Sequence, residues 1–165
     1  MPTKLKGSCR CGAIRFSVAS HTPVPYQLCY CSICRKQQGG GGYAINLGAD
    51  ARTLVIDGEE YLGLYRARIQ DEDDPQCKLS SGERRFCREC GSALWLYDPN
   101  WPDLVHPFAS AIDSELPIPS SRVHMMLAYK ASWVVPAIAA GDASFDLYPR
   151  KSIEEWHCDE GAWVA

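Results

Sequence analysis

Seven of the nine cysteines fall into three short clusters: Cys9-x-Cys11, Cys29-x-Cys31-x2-Cys34 and Cys87-x2-Cys90. Spacings of one or two residues let neighbouring thiolates converge on a single ion. In a zinc protein, four ligands close a structural site, whereas three leave a coordination position open for water or substrate. Seven clustered thiolates divide naturally into four and three. An odd total of nine suits a closed disulfide framework poorly, and clustered cysteines in a reducing compartment are more often metal-bound or catalytic.

The rest of the composition narrows the class. A length of 165 residues suits a single domain spanning 1–165 with one core. The sequence has no apolar run of membrane-spanning length, and its first residues, MPTKLKGSCR, lack the apolar segment of a signal peptide. The expectation is therefore a cytoplasmic protein with no membrane partner. A net charge of −3 argues against a nucleic-acid surface, which is normally basic. The acidic run Asp71-Glu72-Asp73-Asp74, ahead of Pro75, reads as a solvated loop within a polar stretch over residues 66–85.

Strand signals are short and frequent. Ile14, Phe16 and Val18 alternate with Arg15 and Ser17, which predicts a half-buried strand just after the first cysteine pair. Residues 43–47, 53–56, 61–65, 92–97, 104–112 and 122–129 read the same way, and Asp57-Gly58 predicts a hairpin turn. Helical signal is confined to 32–38 and 152–156. With eleven prolines and thirteen glycines, the expected fold class is mainly β, antiparallel and stapled by metal, with few short helices.

Cys9, Cys11, Cys87 and Cys90 make up the expected structural zinc site. Gly91, and Gly12 in the matching position, can take the positive φ that turns backbone N–H groups towards the thiolates. Arg10, Arg84, Arg85 and Arg88 lie beside these ligands in sequence, where cations would favour thiolate over thiol. Cys29, Cys31 and Cys34 offer three thiolates and no local fourth, so they are the candidate second zinc site and the candidate catalytic residues. Arg35 and Lys36 follow directly and could hold carboxylates, while Gly39 and Gly40 open a four-glycine run that permits close approach of a ligand to the backbone. A small anionic thiol suits this combination. The alternative is a second structural zinc completed by Cys77, His157, Cys158 or another distant residue. A redox dithiol at Cys31 and Cys34 lacks the βαβ context such motifs need. His21, His106 and His124 lack ligand spacing to any cluster, and packing is the default reading for them.

The motifs Gly7-Ser-Cys-Arg-Cys-Gly12, Cys29-Tyr-Cys-Ser-Ile-Cys-Arg-Lys36 and Phe86-Cys-Arg-Glu-Cys-Gly-Ser92 resemble, in order and separation, the glutathione-dependent formaldehyde-activating enzyme family, which also contains centromere protein V. The resemblance covers about residues 4–135, leaving 136–165 as a C-terminal extension. It implies a β-tent fold, two zinc ions per chain, and a carbon–sulfur lyase that joins formaldehyde to glutathione as S-hydroxymethylglutathione or acts on a related small aldehyde and thiol. The chain differs from the family's common pattern at Tyr30 and at Gln37-Gln38 before the four glycines, both near the expected substrate pocket. Fold alone does not confer activity. The alternative from another class is a non-catalytic zinc protein serving as an interaction scaffold or a thiol or zinc sensor.

Overall fold

The computed structural model describes residues 1–71 and 74–165. Among them, fourteen short strands outweigh two helices, and the chain is mainly β. In chain order the elements are β1 (Thr3–Ser8), β2 (Arg15–Ser20), β3 (Gln27–Cys29), α1 (Ser32–Gln38), β4 (Ala44–Ile45), β5 (Ala49–Asp50), β6 (Val55–Asp57), β7 (Leu62–Tyr65), β8 (Arg68–Asp71) and β9 (Asp74–Leu79). They continue with β10 (Glu83–Cys87), β11 (Ala93–Tyr97), β12 (Leu104–Pro107), β13 (Val123–Met125), β14 (Ala143–Ser144) and α2 (Ile153–Asp159).

Two antiparallel sheets, ordered β1-β2-β6 and β5-β12-β11-β10-β7, enclose the main core. The alternation expected for the first strand is present: Phe16 and Val18 on β2 are buried, with Ile14 just before them. They meet Leu5, Leu47, Leu94, Trp95 and Val105, and the rings of Phe16 and Trp95 pack edge to face at 5.0 Å. Cys9 and Cys87 belong to this same cluster, so sulfur from two distant segments lies inside the apolar core. A third sheet, β14-β13-β3-β4, carries the middle cysteine motif. Here β13 runs parallel to both β3 and β14, the exception to the otherwise antiparallel pairing.

Three local expectations are corrected. Asp57-Gly58 does not make a hairpin: β6 pairs with β2 and β7 with β10, so the turn transfers the chain from one sheet to another. Gly58 takes φ +85° and starts a single 3-10 turn over Glu59–Tyr61. A Cβ there would lie 1.9 Å from the carbonyl oxygen of Ala13. Gly58→Ala is therefore expected to cost about 2 kcal/mol or more, combining the left-handed penalty with the clash, seen as a lower urea midpoint at unchanged m-value. The polar stretch over 66–85 is largely strand: β8 and β9 form a two-stranded antiparallel ribbon and β10 joins the five-stranded sheet. Within the acidic run, Glu72 and Asp73 lie outside the described residues. Strand signal over 104–112 stops at Pro107, after which Ala109–Ala111 is a 3-10 turn, and that over 122–129 stops at Met125.

The segment after residue 135 packs closely on the rest. Strand β14 pairs with β13, and Trp156 of α2 stacks on Tyr26 with ring centroids 3.6 Å apart. Helix α2 starts one residue later than the sequence suggested because Ser152 is its N-cap, with Glu155 completing a capping box. No helix among the described residues is long and apolar enough to cross a membrane.

Candidate metal centres and thiol site

The four-cysteine group is assembled from two turns, each closed by a glycine with positive φ directly after a cysteine. After β1, the N–H of Gly12 donates to the carbonyl of Cys9, and Gly12 has φ +81°. At the end of β10, the N–H of Gly91 donates to the carbonyl of Cys87, and Gly91 has φ +78°. Both glycines occupy the left-handed conformation that the Cys-Gly pairing suggested. Arg10 N–H donates to Ser92 Oγ at 2.9 Å, tying the two turns together, and Ile14 N–H points at Cys9 Sγ at 3.2 Å.

The sulfurs of Cys9 and Cys11 lie 3.5 Å apart and those of Cys11 and Cys87 3.8 Å apart; all four ligand atoms fall within 4.8 Å of one another. Four sulfurs held ~2.3 Å from one ion define a tetrahedron with edges of roughly 3.8 Å, so the donor set suits a tetrahedral metal. Protonation tells the same story. Hydrogen bonds from Ser92 hold Cys90 down to about 6, whereas Cys11, against a backbone hydrogen bond from Ala13 that lowers it, is pushed up to about 12 by desolvation and by the sulfurs of Cys9, Cys90 and Cys87. Four thiolates cannot share so small a volume unless a cation offsets their repulsion.

The three-cysteine group sits where β3 passes into α1. Cys29 ends β3, opposite Met125 on β13. Cys31 caps α1, its sulfur accepting from Cys34 N–H at 3.3 Å, and Cys34 lies buried in the first turn. The three sulfurs are also within 4.8 Å of one another. Met125 and Ala44 pack beside them, giving the site an apolar wall. No further side chain among the described residues joins this group as a ligand. Cys77 is exposed on β9 and Cys158 exposed on α2, while the two ring nitrogens of His157 are engaged by Ile153 O and Val24 N–H. The fourth ligand suggested for a closed structural site is thus not supplied by these residues.

Charge concentrates on Cys34. Hydrogen bonds from Cys29 and Cys31 and the nearby guanidinium of Arg84 hold its thiol far down, at about 2, while sharing with its neighbours pushes Cys29 strongly up. Arg84 Nη2 donates to Cys34 Sγ at 3.7 Å, and Asn46 Nδ2 donates to it at 3.9 Å. Neither residue was singled out for this site from the sequence. Arg84 was expected beside the four-cysteine group because it precedes Cys87 by three residues. Arg88 turns to the carbonyl of Glu60, and Arg85 to the carboxylate of Glu83.

Arg35 Nε and Arg84 Nη1 are the buried side-chain nitrogens left without a hydrogen-bond partner among the described residues. An unsatisfied buried guanidinium donor is costly, so each of these nitrogens is suited to an anionic partner. Lys36, Gly39 and Gly40 lie on the exposed side of the same region, with Gly39 ending α1 at φ +63°. Tyr30, between two of the cysteines, points away into the interior. Its hydroxyl is 2.8 Å from His124 Nδ1, and His124 Nε2 is 3.1 Å from Asp142, so this chain of contacts braces the Cys29–Cys31 loop against the C-terminal segment.

Comparison with known proteins is in keeping with this geometry. Residues 4–125 match the family described as glutathione-dependent formaldehyde-activating enzyme. A protein of Halomonas elongata named a putative glutathione-dependent formaldehyde-activating enzyme is 55% identical over 157 residues, which are 95% of this chain and 96% of that one. The crystal structure of a Rhodobacter sphaeroides protein superposes with a TM-score of 0.50 at 25% identity, covering 68% of this chain and 91% of that chain. On this evidence the chain belongs to the glutathione-dependent formaldehyde-activating enzyme family.

Proposed function

We propose that the chain is a cytoplasmic, zinc-dependent carbon–sulfur lyase that forms and cleaves the adduct of glutathione with formaldehyde or a similar small aldehyde. The carrying observation is the contrast between the two groups: four sulfurs close one site, while three converge at the other with no fourth ligand among the described residues. Zinc at Cys29, Cys31 and Cys34 would lower the pKa of an incoming thiol and polarise a carbonyl oxygen. A second zinc, on Cys9, Cys11, Cys87 and Cys90, would be structural.

The remaining roles fall to the chain's own residues. The substrate thiol gives up its proton to solvent, its sulfur attacks the carbonyl carbon, the carbonyl π electrons move to oxygen, and solvent returns one proton there to complete the hydroxymethyl group. Arg84 offsets the negative charge gathered at Cys34, and Arg35 with Lys36 directs the thiol's carboxylate. Gly39 and Gly40 leave open space where any larger residue would add a side chain. Met125 and Ala44 limit water beside the sulfurs.

Titrating glutathione into the zinc-loaded protein by calorimetry tests this reading. One binding event per chain is expected, weakened at least tenfold in Cys31→Ser. Unchanged binding in that variant would remove the three-cysteine group from the thiol site. Absence of binding in the unaltered protein would favour a non-catalytic zinc protein.

A further inference from the structure

A cavity of ≈ 550 Å³ lies between the Cys9–Cys11 turn and the C-terminal half of α1. Its volume is within the usual range for small-molecule sites. Its walls include Arg10, Ser92, Gln37, Gln38, Ser110 and Asp113. With Ser8, also in the wall, one cation, one anion, two amides and three hydroxyls share a single concavity. Among the described residues no ion pair joins Arg10 to Asp113. Asp113 is instead fixed by Ser8, whose hydroxyl donates to its Oδ2 at 2.6 Å, leaving the other carboxylate oxygen available.

The cavity is also wired to the three-cysteine group. Gln38 Nε2 donates to Asn46 Oδ1 at 3.5 Å, and Asn46 Nδ2 donates to Cys34 Sγ at 3.9 Å. The wall of the cavity is thus two side-chain contacts from the sulfurs. A tripeptide at ~3.3–3.6 Å per residue reaches roughly 10 Å, so a thiol anchored at Cys29, Cys31 and Cys34 can extend into it.

We propose that this cavity holds the amino-acid end of the substrate thiol, with Arg10 facing its α-carboxylate and Asp113 its α-ammonium group. This rests on the thiol reading above and gives it a direction. The γ-glutamyl end of glutathione carries an ammonium and a carboxylate on one carbon, which matches a wall bearing both charges. Gln37 and Gln38 can both donate to and accept from the intervening amides. The other end of the tripeptide carries only a carboxylate and falls to Arg35 and Lys36. Arg10 and Asp113 are then specificity determinants that distinguish a zwitterionic peptide thiol from simple thiols.

Affinities of the zinc-loaded full chain for glutathione and for N-acetylglutathione, which lacks the ammonium charge, provide the test. Glutathione is expected to bind about 5–20-fold more tightly, the range for losing one partly solvated charge-assisted contact. In Asp113→Asn that ratio is expected to collapse to about twofold or less. Equal affinities in the unaltered protein, or a ratio preserved in Asp113→Asn, would overturn the assignment while leaving the thiol site in place. If neither peptide thiol binds, nor 2-mercaptoethanol, the thiol reading falls and this assignment with it. Zinc content measured on the same samples guards against an indirect effect through Cys9 and Cys11.

Discussion

Cys87→Ser is expected to yield a chain that no longer folds cooperatively at ordinary temperature. Cys87 is fully buried, at 0% exposure, and sits in the main core against residues of two sheets. Its sulfur connects the end of β10 to the turn after β1, joining segments 76 residues apart. A structural zinc contributes on the order of 10 kcal/mol, and whole domains are stable by only about 5–15 kcal/mol, so loss of one ligand removes most of the margin. The substitution also leaves a hydroxyl in an apolar pocket. Near-ultraviolet circular dichroism and zinc content should fall together, and exhaustive chelation of the unaltered protein should reproduce the effect. Cys77→Ser and Cys158→Ser, both at exposed positions, should shift stability by no more than about 0.5 kcal/mol. A Cys87→Ser protein with a sharp native transition would show that the four cysteines do not hold the sheets together.

The cysteine arrangement was legible because ligand spacing is a local property. The turns at Gly12 and Gly91 and the helix over Ser32–Gln38 follow from a few adjacent residues and are found as the sequence suggests. Strands were legible where one face is buried and the other is not, as at Phe16 and Val18. They were illegible where the pattern is short or polar: β3 has only three residues, and β10 reads Glu-Arg-Arg-Phe-Cys with four of its five side chains half-buried. The parallel pairing of β13 with β3 joins residues almost a hundred positions apart, and nothing local encodes it.

Arg84 shows how the same limit affects a site. Proximity to Cys87 in sequence assigned it to the wrong group. In β10 successive side chains alternate between faces, so residues 84 and 87 point to opposite sides of the strand. The bulge at this point leaves an extra residue in β11, between Trp95 and Ala93, and β10 itself stays regular. One face of β10 therefore serves the structural group and the other the three-cysteine group. A strand register was needed to see it.

That position leads to a second large effect. Cys34→Ser should abolish turnover of the hydroxymethyl thioether, with a loss of at least about 10³-fold, while the chain stays folded and keeps one zinc of two. Cys34 is the sulfur to which Asn46 and Arg84 both donate, so its removal dismantles the charge arrangement as well as one ligand. Its contacts lie in a small cluster separate from the main core, which is why folding should survive. Arg84→Gln is the milder counterpart: both zinc ions stay bound, but the guanidinium opposite the thiolates is gone. A loss of about 10²–10³-fold in kcat is expected, the usual range for deleting one preorganised donor where charge develops. Added guanidinium should restore part of that activity in Arg84→Gln and none in Cys34→Ser. Full activity in Cys34→Ser with a single zinc would place the chemistry outside the three-cysteine group; full activity in Arg84→Gln would reduce Arg84 to a spectator of the thiolates.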